Sequence, residues 1–290
     1  MDLLYQLDKI TCSILRKFSS NYNYISYQMV VQRYVKRTFS PLLPLNYHTQ
    51  SKSEQTEVIW VCWWQGEKNM PQLVKRCYHK IIEMSNGKQV ILINKTNYKT
   101  YVDIPNFIIE KLDRNIITIT HFSDILRFSL LKKYGGWWMD LTIYPVQLIE
   151  HTTNIYTIKQ QIEKQYISQA QWSSFLWYLP VNHPLANFMV ECWNKYWSTN
   201  NKLIDYFLVD HLIRLFYDRT ENFRAEINYL PIESPDLYYF QTNAAYKNFD
   251  HGTWEQLKKN NKFFKFNWRS NLDDYNQNSY LKQIIMQENS

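Results

Sequence analysis

Short apolar runs alternate with amphipathic stretches over the middle of the chain. The runs of strand length cover residues 58–63, 90–93, 116–119 and 137–143. Continuous apolar runs of this kind are typical of strands that are buried on both faces of a sheet. Between them, the spacing of apolar positions predicts helices over residues 71–84, 106–113 and 124–134. Strands that alternate with helices predict an α/β fold.

The alternation ends near Pro145. Beyond it, the apolar positions predict helices over residues 184–197 and 203–216. The chain from Pro231 onward is aromatic, polar and irregular in pattern. Because no internal repeat is visible, we expect these parts to complete one main domain, residues 53–290.

The first 52 residues form a basic helical segment that is distinct from the main domain. They hold seven basic and two acidic side chains, and therefore most of the formal net charge of +7. Residues 24–39 predict a helix with an apolar side (Ile25, Met29, Val30, Tyr34) and a basic side (Arg33, Lys36, Arg37). Such a helix suits either an anionic membrane surface or packing on the main domain, and the sequence leaves both open. A polar linker is predicted over residues 48–57.

Composition excludes several classes of site. The five glycines allow no G-x-G-x-x-G and no G-x-x-x-x-G-K-[ST] loop for binding phosphate. The four cysteines include no C-x-x-C pair, so neither a disulfide framework nor a zinc site is predicted. No apolar run is long enough to span a bilayer, and the N-terminus lacks the features of a signal peptide. Nucleic-acid binding is not expected, because the main domain is almost neutral.

The clearest candidate chemistry lies around the helix predicted over residues 124–134. Asp124 and Arg127 are three residues apart in its predicted first turn, so they share one face. The helix advances about 15 Å, the pair Gly135-Gly136 reverses the chain, and the strand returns about 13 Å to Asp140. We therefore expect Asp140 to lie level with Asp124 and Arg127, at the helix N-terminus and the C-terminal edge of a strand. Open α/β sheets bind their ligands at that edge.

Several ordered motifs in this region resemble a known family. His-Phe-Ser-Asp-Ile-Leu-Arg at 121–127, Tyr-Gly-Gly at 134–136 and Asp-Leu-Thr at 140–142 resemble the capsular polysaccharide synthesis proteins and the sugar transferases around glycosyltransferase family 32. The strand at 59–66 resembles the start of their domain, and the likeness is good over residues 55–145. It implies a GT-A type nucleotide-sugar-binding fold, with a mixed, mainly parallel sheet flanked by helices, and a nucleotide-activated sugar as donor.

The resemblance also implies roles for single residues. Asp124 and Arg127 would bind the hydroxyls of the donor sugar, and Asp140 would be the first residue of a D-x-D element near the ribose and a metal. Trp63 or Trp64 would stack on the nucleobase, and related enzymes retain the anomeric configuration of the sugar.

Further donor-binding candidates lie at the two ends of the main domain. Gln65 follows the tryptophan pair after the first strand. Near the C-terminus, Lys265 and Trp268 belong to a stretch that predicts either a basic lid over the diphosphate or a solvated tail.

A nucleoside diphosphate leaving group builds up negative charge, which a divalent cation or basic side chains must stabilise. Mg²⁺ and Mn²⁺ prefer oxygen ligands, so Asp140 and Thr142 are the predicted metal ligands. Thr142 stands where the D-x-D pattern has its second aspartate. Because a hydroxyl is a weaker ligand than a carboxylate, we expect the cation to be held loosely, through water or by another residue.

The helical half of the main domain offers weaker candidates. Asp210 is a second catalytic candidate, and the alternative is a helix acid paired with a neighbour. His211 is a candidate base. The sequence Trp172-Ser173-Ser174 either meets the acceptor or forms a strand with core aromatic residues.

Together these features predict a hexosyltransferase that moves a sugar from a UDP-sugar to a hydroxyl of a polysaccharide or lipid-linked oligosaccharide precursor. The expected location is the cytoplasm, with peripheral contact to the inner face of the cell membrane through the N-terminal segment. A toxin-like, protein-modifying sugar transferase and an inactive sugar-binding module remain alternatives, because both use the same donor motifs.

Overall fold

The computed structural model describes residues 5–7, 10, 24–45, 47, 58–150, 154–163, 166–269 and 274–286. Its helices are α1 (Tyr24–Phe39), α2 (Gln72–Glu83), α3 (Tyr98–Tyr101), α4 (Asn106–Asp113), α5 (Ile119–Tyr134), α6 (Pro184–Thr199), α7 (Leu208–Arg219), α8 (Glu221–Tyr229), α9 (His251–Asn260) and α10 (Tyr280–Met286). Its strands are β1 (Val58–Cys62), β2 (Gln89–Ile93), β3 (Gly136–Met139), β4 (Ile143–Pro145), β5 (Tyr156–Thr157), β6 (Leu176–Leu179) and β7 (Phe263–Lys265). The predicted linker at 48–57 lies outside the described residues.

The main sheet has five strands in the order β2-β1-β3-β6-β5. Strand β1 is parallel to both β2 and β3, whereas β6 is antiparallel to β3 and to β5. Strands β4 and β7 form a separate antiparallel pair. The sheet is mixed, its β2-β1-β3 part is parallel, and helices flank it, so the predicted α/β class is confirmed.

Strand β1 shows why its apolar run is continuous. Ile59 and Val61 pack into one hydrophobic cluster, whereas Val58 and Trp60 pack into another on the opposite face of the sheet. Successive side chains of a strand point to opposite faces, so a strand covered on both sides needs apolar residues at every position.

The segment before Asp124 differs from its prediction. Residues 116–118 form no strand, and helix α5 begins at Ile119 instead of at residue 124. The hydroxyl of Thr118 caps this helix by accepting a hydrogen bond from the backbone nitrogen of His121 at 3.2 Å. Asp124 therefore lies in the second turn of the helix. The expectation that the helix N-terminus lies beside Asp124 is wrong, because the helix begins five residues earlier.

The strand predicted over residues 137–143 is two strands joined by a turn. The backbone nitrogen of Ile143 donates to the carbonyl oxygen of Asp140 at 2.9 Å, which closes this turn. Strand β3 consequently ends just before Asp140, and β4 turns away to pair with β7. The C-terminal region, predicted to be irregular, contains β7, α9 and α10.

The glycine pair between α5 and β3 is required by the local geometry. Gly135 has a φ of +65° and Gly136 a φ of +91°, a region that favours glycine. A β-carbon on Gly135 would lie 2.6 Å from the backbone nitrogen of Val181. The reversal of the chain therefore requires glycine at these two positions. This reversal places β3 beside α5.

Helix α1 covers the predicted residues and packs on the main domain. Val30 and Val35 are buried in the same hydrophobic cluster as residues of α7, and Tyr34 is also buried, whereas Met29 is exposed. Among the described residues of its apolar side, Val30 and Tyr34 are thus covered by the chain itself, as the packing interpretation expects. In the part of the chain that the structure describes, no helix is both long and apolar enough to cross a membrane.

Candidate active site

Helix α5 and the end of β3 bring three charged side chains together. Arg127 donates from Nη1 to Oδ1 of Asp124 at 2.7 Å and from Nη2 to Oδ1 of Asp140 at 3.1 Å. The guanidinium group lies 5.0 Å from the ring centroid of Trp138, and its side chain is only 3 % exposed. The predicted convergence of these three residues is confirmed, and their roles toward a donor stay predictions.

The two carboxylates differ in their access to solvent. The side chain of Asp124 is 13 % exposed and that of Asp140 is 35 % exposed. Oδ1 of Asp140 also accepts a hydrogen bond from Nε1 of Trp138 at 2.8 Å. Because this oxygen already has two donors, Asp140 is fixed in orientation while the rest of its carboxylate faces outward.

These side chains open into a cleft of about 900 Å³. Five predicted site residues line it: Asp124, Arg127, Asp140, Asp210 and Lys265. The sequence Trp172-Ser173-Ser174 also lines the cleft and precedes β6, so the alternative in which it forms a strand is wrong. Its role toward an acceptor stays a prediction.

Asp210 lies on α7 and lines the same cleft. Its Oδ1 accepts a hydrogen bond from Nε1 of Trp172 at 2.9 Å. Burial raises the pKa of Asp210 to about 7. The hydrogen bond from Trp172 acts in the opposite direction and lowers this pKa. Asp124 adds to the increase and Arg127 opposes it. A carboxyl group that titrates near neutrality can either accept or donate a proton in the cleft.

Lys265 reaches the cleft from β7. Its Nζ donates to Oγ1 of Thr142 at 2.5 Å and lies 5.1 Å from the ring centroid of Phe175. Burial lowers the pKa of Lys265 below its ordinary value, while the carboxylate of Asp140 raises it. Thr142 itself is buried and does not line the cleft.

The predicted metal ligands do not form a donor set that fits a divalent cation. The hydroxyl of Thr142 accepts from an ammonium group, and Oδ1 of Asp140 accepts from Arg127 and Trp138. A cation between Asp140 and Thr142 would therefore lie beside a positive charge. Among the described residues, no group of three or more His, Cys, Asp or Glu side chains could hold a metal ion.

The two tryptophans after β1 have different surroundings. Trp64 packs on Tyr98 and Phe122, with ring centroids 5.3 Å away in both cases, and belongs to the core. Trp63 forms an edge-to-face pair with Trp268 at 5.9 Å. None of Trp63, Trp64, Gln65 and Trp268 lines the cleft, and among these three tryptophans Trp268 is exposed.

His211 is separated from the cleft. Its ring nitrogens lie 2.5 Å from Oε1 of Gln32 and 2.5 Å from Oε1 of Gln28, both on α1. Burial lowers the pKa of His211 to about 3. The hypothesis of a catalytic base at this position is therefore wrong, because the imidazole fixes α1 to α7 instead of meeting a ligand.

His121 is a cleft residue to which the sequence assigned no role. Its Nε2 accepts a hydrogen bond from Nε1 of Trp197 at 3.0 Å. An indole N–H can only donate, so the proton of the neutral imidazole is on Nδ1, which lies 3.7 Å from Oδ2 of Asp124. This Nδ1 makes no hydrogen bond within the described part of the chain. The signal in the sequence is the spacing of three residues from Asp124, which puts both on one helix face.

The comparison with known protein families identifies the family of this chain. A sequence profile described as capsular polysaccharide synthesis protein matches residues 12–284, which is nearly the whole chain. The chain belongs to the capsular polysaccharide synthesis protein family. No individually curated protein matches it.

Membership in the capsular polysaccharide synthesis protein family indicates a sugar transferase that takes part in capsule synthesis. A sugar donor and a glycan acceptor follow from that role in general terms. The family predicted from the motifs is thus confirmed, while the likeness to glycosyltransferase family 32 stays a prediction.

Proposed function

We propose that this protein transfers a sugar from a nucleoside diphosphate donor, in the first place a UDP-sugar, to a hydroxyl of a polysaccharide or lipid-linked oligosaccharide precursor. The reaction is of the hexosyltransferase type, on a GT-A type fold, and it retains the anomeric configuration. The observation that carries the proposal is the pair of carboxylates held by Arg127 beside the cleft.

Sugar hydroxyls need acceptors that are fixed in place. Asp124 and Asp140 both line the cleft, and Arg127 holds one oxygen of each. Each carboxylate has further lone pairs beside those that Arg127 occupies, and these can accept hydrogen bonds from donor hydroxyls. We assign these two residues and Arg127 to donor binding, with Asp140 nearest the reacting carbon.

Asp210 is the proposed acid–base residue. In the transfer, the bond from the anomeric carbon to the diphosphate oxygen breaks, a bond to the acceptor oxygen forms, and the acceptor hydroxyl loses its proton. Asp210 lines the same cleft and has a pKa near 7, so it can take up that proton at neutral pH.

The rim of the cleft suits a glycan acceptor. Tyr166 is 53 % exposed, Tyr206 is 67 % exposed and Tyr238 is 43 % exposed, and all three line the cleft. Exposed aromatic rings with a polar hydroxyl offer an apolar face for a sugar ring and a hydrogen bond at its edge. The cleft volume of about 900 Å³ is at the upper end of the range for small-molecule sites, which suits two substrates.

Contact of this protein with a membrane would depend on the basic side chains of α1. Because α1 buries Val30 and Tyr34 of its apolar side, we assign contact with anionic lipid to its exposed basic residues Arg33, Lys36 and Arg37. Removal of residues 1–50 would also remove α1 from the core. Charge reversal with Lys36→Glu is therefore the cleaner test: binding to vesicles with anionic lipid should weaken, and unchanged binding would argue against this contact.

Turnover of nucleotide-sugars tests the proposed function. The purified chain is incubated with UDP-glucose, UDP-galactose, UDP-N-acetylglucosamine and GDP-mannose, each with and without Mn²⁺, and release of the nucleoside diphosphate is followed. We expect at least one donor to be consumed, faster with a glycan acceptor, and an α-linked product by NMR from an α-linked donor. A β-linked product would contradict retention.

The matched variants are Asp140→Asn and Asp218→Asn. Asp140→Asn removes a charge in the cleft and should lower turnover about 100-fold or more, with little change in the melting temperature. Asp218 pairs with Arg214 at 2.9 Å on the surface, and its side chain is 42 % exposed, so its replacement should leave turnover within about twofold. Full activity of Asp140→Asn would overturn the proposed site.

A further inference from the structure

Strand pairing fixes the ammonium group of Lys265 at the predicted metal position. Strands β4 and β7 are antiparallel, with Ile143 opposite Lys265. The lysine is therefore beside Thr142, the residue before Ile143, and its Nζ donates to Oγ1 of Thr142 at 2.5 Å. The position comes from backbone register as well as from one side-chain contact.

A cation–π contact also holds the ammonium group in place. It lies 5.1 Å from the ring centroid of Phe175, an arrangement in which the aromatic face attracts a cation. The backbone nitrogen of Asp140 donates to the carbonyl oxygen of Phe175 at 2.9 Å. The segment that carries this ring is thus tied to Asp140, and the lysine and the carboxylate share one wall of the cleft.

The groups at the predicted metal position already have partners. Arg127 donates to Asp124 and Asp140, and Lys265 donates to Thr142, while the other carboxyl groups of the cleft, Glu163 and Asp210, belong to other parts of its lining. Mg²⁺ is usually bound through one or two carboxylates together with substrate phosphates and water. At Asp140 a divalent cation would meet an oxygen that already accepts from Arg127, and an ammonium group where its second ligand should be.

We propose that Lys265 takes the place of the divalent cation and binds the diphosphate of the donor, so that transfer does not depend on a metal ion. The inference rests on the proposed function and specifies how its leaving group is stabilised. When the bond between the anomeric carbon and the phosphate oxygen breaks, its electron pair stays on that oxygen. The ammonium group of Lys265 donates a hydrogen bond to the diphosphate and stabilises the added charge.

Binding in the absence of metal tests the inference directly. The Kd of the full chain for UDP, uridine and inorganic pyrophosphate is measured by calorimetry in EDTA and again in Mn²⁺. We expect UDP to bind with the same Kd within about twofold in both, because the diphosphate meets Lys265 and not a cation. Binding or turnover that improves more than about tenfold with Mn²⁺ would overturn the inference and leave the proposed function standing.

Variants of Lys265 test its role. Lys265→Met should weaken UDP and pyrophosphate about tenfold or more, since a charge-assisted hydrogen bond is lost, and leave uridine unchanged. Lys265→Arg keeps the charge and should recover part of the affinity. Lys259→Met removes one exposed lysine on α9 and is the matched control, expected to bind all three ligands as the unmodified chain does.

The outcomes separate the two proposals. If Lys265→Met binds pyrophosphate as well as the unmodified chain does, Lys265 does not hold the diphosphate and the inference fails. If pyrophosphate binding depends on Lys265 but no nucleotide-sugar is turned over with any acceptor, the anion site stands and the proposed transfer fails. The comparison of EDTA with Mn²⁺ needs no variant, so it can overturn the metal-independent part of the inference even if Lys265→Met does not fold, and Lys265→Arg then tests the role of the lysine.

Discussion

The two faces of helix α7 carry adjacent titratable residues with opposite surroundings. Asp210 faces the cleft, where it meets Trp172 and shares the space with Asp124 and Arg127. His211 faces helix α1, is 1 % exposed, and lies between two glutamines. Consecutive residues of a helix point about 100° apart, so one turn can serve both a cleft and a packing interface.

Burial acts on both residues and favours the neutral form of each. It raises the pKa of Asp210 to about 7 and lowers the pKa of His211 to about 3. The difference lies in access: the carboxyl group can exchange a proton with a ligand in the cleft, and the imidazole is enclosed by protein. A shifted pKa therefore marks a catalytic candidate only where the group also faces a ligand site.

The largest effect is expected from Asp210→Asn. The amide keeps the acceptor for Trp172 and loses the titrating group, so turnover should fall about 100-fold. The raised pKa of Asp210 means that the native state loses stability as pH rises from about 4 through about 7. The variant should lack that loss and be more stable at pH 8 by on the order of 2 kcal/mol, because the carboxyl is partly open to the cleft.

Turnover and urea unfolding from pH 5 to 8 check this prediction. If Asp210→Asn keeps full turnover, Asp210 has only a structural role. The functional difference between the cleft face and the packing face of α7 would then be wrong.

A change on the packing face should affect stability and not turnover. His211→Leu leaves Gln28 and Gln32 without their ring partner, so we expect a loss of about 2 kcal/mol in the free energy of unfolding. The lowered pKa of His211 means that the native state loses stability as pH falls from about 6.5 toward 3. The variant should lack that acid-dependent loss.

The readouts are acid unfolding and turnover per folded molecule. A drop in turnover of more than about threefold at full folding would show that the two faces of α7 are coupled.

The smallest effect is expected from Trp172→Phe. Its Nε1 donates to Asp210 and so lowers the pKa of that carboxyl group. Without this donor the pKa of Asp210 should rise above about 7, and the pH profile of turnover should move upward by less than about one pH unit. A profile that does not move would show that Asp210 is not the group that titrates in the reaction.

Local patterns were sufficient for the first strands and for the return of the chain to Asp140. The apolar runs of β1 and β2 and the glycine pair are features of neighbouring residues, and they set the relative positions of Asp124, Arg127 and Asp140. The start of α5 was missed because β-branched residues favour strands by propensity, whereas the cap at Thr118 decides the outcome.

Longer-range features were beyond local patterns. Strand β7 forms only because β4, more than 110 residues earlier, offers it an edge. The contact between Lys265 and Thr142 depends on that pairing, so the sequence predicted the lysine as a donor-binding residue without showing that it donates to Thr142. Likewise, the sequence could not show that Asp210 faces the cleft whereas His211 is enclosed. The glutamines beside His211 lie about 180 residues away in the chain.

The bridge that Arg127 makes between α5 and β3 also bears on selectivity. This bridge exists before any sugar binds. The entropic cost of ordering the two carboxylates is therefore part of the free energy of folding and not of sugar binding. In the proposed function, a sugar donor would meet oxygens at set positions and would have to match them. An epimer with one hydroxyl inverted would leave a carboxylate without its partner, so stereochemical discrimination would follow from rigidity more than from the size of the cleft.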